Sequence, residues 1–172
     1  FYHPDGKVSF FNDTALNIGP NLIDLSNYAK RLGIGIKKFS AKFIYLKESG
    51  FVYYKNSDVY LIANIGKIKA DYQPGHSHAG TFSFELSLFN ERLIVNNGIS
   101  TYENNIARIC ERSTLSHSTV SVDNQNSAEI WSSFRVARRP RIIYKKVLQK
   151  EGYDNLNIKA THDGYSYING SP

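Results

Sequence analysis

At 172 residues, with 41% hydrophobic and 21% charged content, the chain is long enough to bury a core and too modestly charged for a disordered segment. Its formal charge of +6 favours salt-sensitive attraction of polyanions, and acidic polysaccharide and nucleic acid both qualify. Twelve Tyr and ten Phe against no Met and one Trp suit pleated, half-buried surfaces, and no apolar run approaches the roughly 20 residues that span a bilayer.

His3-Pro4-Asp5-Gly6 has turn chemistry. Pro20 then opens a segment in which Leu22, Leu25, Tyr28, Ala29 and Leu32 share one helical face before Gly33, which predicts a helix over residues 21–32. Its apolar stripe calls for a covering surface that an upstream domain would supply. Residues 1–40 therefore read as an arm with a short helix, and residues 41–172 as a β-domain. From Phe43 the period becomes strand-like, with runs over 43–46, 51–54, 59–64, 81–89 and 92–95, punctuated by Gly50, Asn56-Ser57, Gly66, Pro74-Gly75 and Asn90. Further strands are expected over 118–122, 130–138, 141–149, 156–160 and 165–168. So many short strands at regular spacing, with almost no helix after Gly33, predict a mainly β fold of stacked antiparallel sheets, a β-sandwich. Cys110 is the single cysteine, which excludes an intrachain disulfide and reads as a buried side chain. Phe1-Tyr2-His3-Pro4 is no secretory signal, and Asn169-Gly170-Ser171-Pro172 reads as a hairpin turn awaiting its return strand, so the sequence reads as cut from a longer protein and leaves the compartment open.

Chemistry concentrates in two stretches. In Asp71-Tyr72-Gln73-Pro74-Gly75-His76-Ser77-His78-Ala79-Gly80, an extended backbone would put His76 and His78 on one face, where two imidazoles can share a metal or divide the work of base and ligand. In Arg112-Ser113-Thr114-Leu115-Ser116-His117-Ser118-Thr119-Val120, His117 adds a third imidazole just before a predicted strand. Between them lies Val95-Asn96-Asn97-Gly98-Ile99-Ser100-Thr101-Tyr102. The alternative is structural: histidines bonded to backbone and glycines shaping turns. Basic clusters at Lys37-Lys38, Arg138-Arg139-Pro140-Arg141 and Lys145-Lys146, with Tyr144 between the last two, are either solvated strand faces or a polyanion track.

Together these stretches resemble the heparinase II/III-like family of polysaccharide lyases, whose second domain carries Pro-Gly-His-x-His-Ala-Asp, Asp-x-Gly-Thr and Arg-Ser-Thr-x-x-His-Asn-Thr-Val stretches in this order. The resemblance continues through His3-Pro4-Asp5-Gly6, Phe11-Asn12-Asp13, residues 131–139 and His162-Asp163-Gly164-Tyr165, and so covers nearly the whole chain. It implies an α/α toroid upstream and an antiparallel sandwich downstream, with acidic polysaccharide held between them. In such lyases a base removes the proton α to a uronate carboxylate while an acid protonates the leaving glycosidic oxygen. His76 matches the family's catalytic histidine, Tyr102 falls near its phenol and Arg112 near a substrate-binding guanidinium. A bacterial source is part of the same expectation.

The resemblance also implies a structural zinc, with His78, Asn96 and His117 at the ligand positions. Asn96 stands where the family has Asp, and a neutral amide brings no charge to offset the cation, which weakens the site. Gly80 and Ser118 likewise replace polar residues that would orient the histidines. Two readings follow: a lyase domain acting on a uronate polymer when joined to its toroid, or a catalytically diverged module that binds glycan or serves as a scaffold in polysaccharide assembly. Nucleic-acid binding through residues 138–146 is a third, supported by Tyr144 alone as a ring beside the cations.

Overall fold

The strand-like runs that begin at Phe43 pair with one another in sequence order. In the computed structural model, which describes residues 1–35, 41–68, 71–149 and 155–168, β1 (Phe43–Leu46), β2 (Phe51–Lys55), β3 (Val59–Asn64), β4 (Phe84–Leu88) and β5 (Glu91–Ile94) form a five-stranded antiparallel meander. The tight β1–β2 connection needs its glycine: Gly50 has φ +78°, and a Cβ there would sit 2.2 Å from the Gly66 Cα. Two hairpins follow, β6 (Ile130–Trp131) with β7 (Arg135–Val136), and the longer β8 (Ile142–Gln149) with β9 (Leu156–His162). The basic pair Lys37-Lys38 and the turn expected at residues 169–172 lie outside the described residues.

Side chains alternate across the meander, and each face has its own cover. On one face Val52 lies opposite Ala63 in the register and both are buried with Ile65. Phe43, Tyr45, Phe82 and Phe84 pack there, together with Val147, Leu156, Ile158 and Ala160 from the β8–β9 hairpin. That contact makes the second layer of the sandwich. On the other face Ile62 lies opposite Glu85 and Tyr60 opposite Ser87. The N-terminal arm covers this face: Phe1 and Phe11 pack edge-on against Phe51, at 4.8 and 5.1 Å, and His3 lies against Tyr60 at 5.3 Å. His3 and Glu85 are fully buried and joined at 2.7 Å, the second imidazole nitrogen meets Ser87 Oγ at 2.7 Å, and Glu85 also accepts the Phe10 N–H. The arm is thus fastened to the sheet by a buried polar latch whose every charge has a partner.

The expected helix appears as α1 (Leu22–Arg31), capped by the Asn21 side chain and with no buried residue. A second helix, α2 (Ile106–Arg112), was not expected. It inverts the usual pattern, burying Arg108 and Arg112 while Ile106 is exposed, so a search for an apolar stripe passes over it. Four other expectations are corrected. Residues 118–122 make only an isolated bridge between Val122 and Gln125, and residues 165–168 form a turn rather than a strand. The run over 130–138 breaks into the β6–β7 hairpin at Ser132, whose φ is +54°. Cys110, expected to be buried, is exposed on α2, because the arginines occupy the inward face.

Candidate active site

Pro74–His76 forms a single tight turn, so the extended backbone expected for this stretch is absent there. His76 and His78 nevertheless meet on one group, the carboxylate of Asp13, delivered by the N-terminal arm. Asp13 Oδ2 lies 2.7 Å from His76 Nδ1 and Oδ1 lies 2.7 Å from His78 Nε2. Arg108 completes the hub with a two-pronged pair, Nη1 to Oδ1 and Nη2 to Oδ2, the latter at 2.8 Å. Four donors on a nearly buried carboxylate outweigh its burial and hold Asp13 well below the usual carboxylate range.

The two histidines differ in exposure. His76 is 61% exposed, and because its Nδ1–H points at Asp13, Nε2 faces the open side. Tyr102 lies edge-on to His76 at 6.0 Å between centroids, Phe134 lies at 5.6 Å, and the Arg108 guanidinium stacks over both Tyr102 and Phe134. Half-exposed Tyr102 and His76 thus form the open rim of the site, with Arg108 beneath. An exposed imidazole oriented by a carboxylate and set beside a phenol is equipped to move protons.

His78 is buried, and its Nδ1 faces His117 Nε2 at 3.1 Å. The outer nitrogens of the pair both face acceptors, Asp13 for His78 and the Ser113 carbonyl, at 2.7 Å, for His117. Outward N–H groups leave two inward lone pairs, an arrangement that a shared cation relieves. Burial lowers both histidines, and the neighbouring His78 helps to push His117 down to about 4. Gly80 gives the ring room, since a Cβ there would come within 2.6 Å of His117 Cδ2.

The remaining expected site residues stand apart from the open rim. Asn96 is buried; its backbone and side-chain N–H groups donate to Glu85 Oε1, at 3.1 and 3.2 Å, and its Oδ1 accepts the Ser118 N–H at 3.0 Å. It adjoins the arm latch through Glu85, and its oxygen is engaged by the backbone of Ser118. Arg112, expected to meet substrate, is fully buried and donates to the carbonyls of Ser77, Ser132 and Arg135. It fastens the His76–His78 loop to the β6–β7 hairpin, and burial beside Arg108 lowers its pKa to about 10. Asp13, Arg108 and Phe134 were not singled out from the sequence. The only signal for Asp13 was its place in the Phe11-Asn12-Asp13 stretch, 63 residues from its imidazole partner.

The layered antiparallel sheets are those of a polysaccharide lyase-like module. The chain belongs to the heparinase II/III-like C-terminal family, whose model matches residues 40–171. Among solved structures it is similar to heparinase III, with TM-score 0.59 and 17% identity, covering 95% of this chain and 30% of that one. A mutant of the heparan sulfate lyase HepC from Pedobacter heparinus gives TM-score 0.65 and 19% identity, covering 95% of this chain and 26% of that one. The HepC enzyme itself gives 0.60 and 19%, over 87% and 24%. The chain therefore spans less than a third of these structures, and at such identity the likeness is one of fold. No curated protein matches.

Proposed function

We propose that this module supplies the proton-transfer wall of a lyase that cleaves a uronate-containing polysaccharide by β-elimination. His76 Nε2 takes the proton from the carbon α to the sugar carboxylate. The electron pair forms the new carbon–carbon double bond as the bond to the glycosidic oxygen breaks, and the Tyr102 phenol gives that oxygen a proton. Asp13 holds His76 in the tautomer that keeps Nε2 free to accept. The carrying observation is the 2.7 Å contact between Asp13 and an otherwise exposed His76.

The test is the near-ultraviolet absorbance of unsaturated sugar ends, followed with the protein at the full length of its gene on heparan sulfate and on unsulfated uronate polymers. Product from the wild type and none from His76→Ala is expected; no product from the wild type on any uronate polymer would refute the proposal. The alternative, a glycan-binding or scaffolding module, predicts glycan retention that is lost with salt and survives His76→Ala.

Zinc belongs to the same proposal. Among the described residues no group of three or more His, Cys, Asp or Glu is arranged to hold a metal. The facing nitrogens of His78 and His117 fit two positions of a tetrahedral zinc ion, which takes nitrogen at about 2.0–2.1 Å. Asn96 would join only by giving up its Ser118 bond, and it brings no charge. Zinc at this pair would be structural, tying the His78 loop to the segment after α2. Elemental analysis after zinc addition, for the wild type and His78→Ala, is the check: one equivalent lost in the variant supports the site, and none at any loading removes it.

A further inference from the structure

A cavity of about 600 Å³ opens between the β1–β2 turn, Gly66, Lys67, Ile68, Asp71 and the start of β8, and the proton-transfer site makes no use of it. Its size falls within the range of about 300–1,000 Å³ common for ligand sites. Five cationic side chains line it, Lys47, Lys67, Arg139, Arg141 and Lys145, against two acidic ones, Glu48 and Asp71. Asp71 is taken up by Lys67 at 2.6 Å and by Arg139 at 3.6 Å, while Arg141 is paired with Asp163 at 2.6 Å. Lys47 and Lys145 are exposed and make no ion pair among the described residues. The paired cations shape the wall, and these two lysines leave it with uncompensated positive charge.

Two further observations indicate the ligand. Half-exposed Tyr144 presents a ring beside the cations, a platform for the apolar face of a sugar. A single ring suits a saccharide better than a nucleic-acid strand, which would stack successive bases on successive rings. The cavity also shares Gly66, Lys67 and Ile68 with a neighbouring cavity lined by Ser77 and His78. The two therefore have a common wall, which sets the cations next to the Ser77–His78 side of the histidine loop.

We propose that the cavity around Lys47, Tyr144 and Lys145 is a second binding site for an acidic saccharide, receiving the sulfate or carboxylate groups of sugar units beyond those at His76. The inference rests on the polysaccharide reading for the identity of the polymer, and its test is independent of turnover. In the full-length protein carrying His76→Ala, binding of a heparan sulfate oligosaccharide of defined length is measured by calorimetry, with and without the paired reversals Lys47→Glu and Lys145→Glu. Both lysines are exposed, and thermal melting shows whether the fold is kept. Lys47→Gln with Lys145→Gln serves as the milder pair if the reversals disturb it. Affinity falls about tenfold at low salt, and the difference narrows as salt rises above physiological strength.

An unsulfated uronate oligomer of the same length separates the anions: an equal drop assigns the lysines to carboxylates, and a drop with heparan sulfate alone assigns them to sulfate. Unchanged affinity for both oligomers overturns the proposal even if the wild type proves to be a lyase. A lysine-dependent affinity in a protein that never eliminates keeps the proposal and removes the lyase reading. A single-stranded oligonucleotide of equal charge that binds more tightly, with the same loss in the variant, overturns the saccharide assignment in favour of nucleic acid.

Discussion

Replacing Asp13 with Asn tests whether one carboxylate organises the site. The substitution keeps the shape and removes the charge that faces His76, His78 and Arg108 together. Arg108 is fully buried, and its Nε–H donates to the Ser133 carbonyl, so the variant leaves a buried cation without its counter-ion. Breaking a buried pair from one side costs about 3–5 kcal/mol. That is a large share of the roughly 5–15 kcal/mol that holds a domain folded. A loss of about 4 kcal/mol corresponds to about 8–16 °C in melting temperature for a chain of this size. Urea unfolding at neutral pH with a chelator present gives the free energy directly. Adding Arg108→Met to Asp13→Asn removes the stranded charge and should recover at least about 1 kcal/mol relative to the single variant. If Asp13→Asn stays within about 1 kcal/mol of the wild type, Asp13 is not the hub described above.

Three further outcomes follow from the same geometry. His117 is neutral in the fold down to about 4 and titrates near 6.5 when unfolded, so the unfolded chain binds more protons between these values. Stability is then full above about pH 6.5 and declines by about 3 kcal/mol as the pH falls to about 4. His78 and His162 are shifted in the same direction and steepen the decline, whereas Asp13, shifted down as a carboxylate, keeps its contribution through this window and loses it only at lower pH. Urea midpoints of chelated protein across that range would be flat if the imidazole pair were solvated. Gly80→Ala pushes a methyl into a ring held by the Ser113 carbonyl and crowded by His78, which predicts a loss of about 1–3 kcal/mol by thermal melting and a displaced His117 in the imidazole NMR spectrum. Glu85→Ala strands His3 and the Phe10 and Asn96 N–H groups, costing about 3–5 kcal/mol and speeding hydrogen exchange in the arm. Unaltered exchange there would show that the ring contacts alone hold the arm.

Local period reveals much of this fold. The runs at 43–46, 51–54 and 59–64 return as β1, β2 and β3, because near-continuous apolar and aromatic runs suit strands covered on both faces. The strand expected over 81–89 shortens to Phe84–Leu88, since Phe82 takes a left-handed turn at φ +63°. Features that depend on distant partners are less legible. Arg112 reads as a substrate-facing guanidinium and Arg108 carries no signal until Asp13 and a set of carbonyls are seen to enclose them. His76 and His78 were grouped by strand alternation, while in the fold a carboxylate from the arm brings them together across a turn. A single sequence does not display a partner 63 residues away except through the short stretch that carries it.

The central claim is that His76, oriented by Asp13, performs proton transfer on a uronate polymer. The pH dependence of unsaturated-end formation by the full-length protein, compared between the wild type and Asp13→Asn, is its most direct test. Strong loss of turnover with substrate affinity largely kept is expected in Asp13→Asn, and no turnover at all in His76→Ala. Equal turnover and an equal pH profile in the wild type and Asp13→Asn, or elimination that survives His76→Ala, would contradict it.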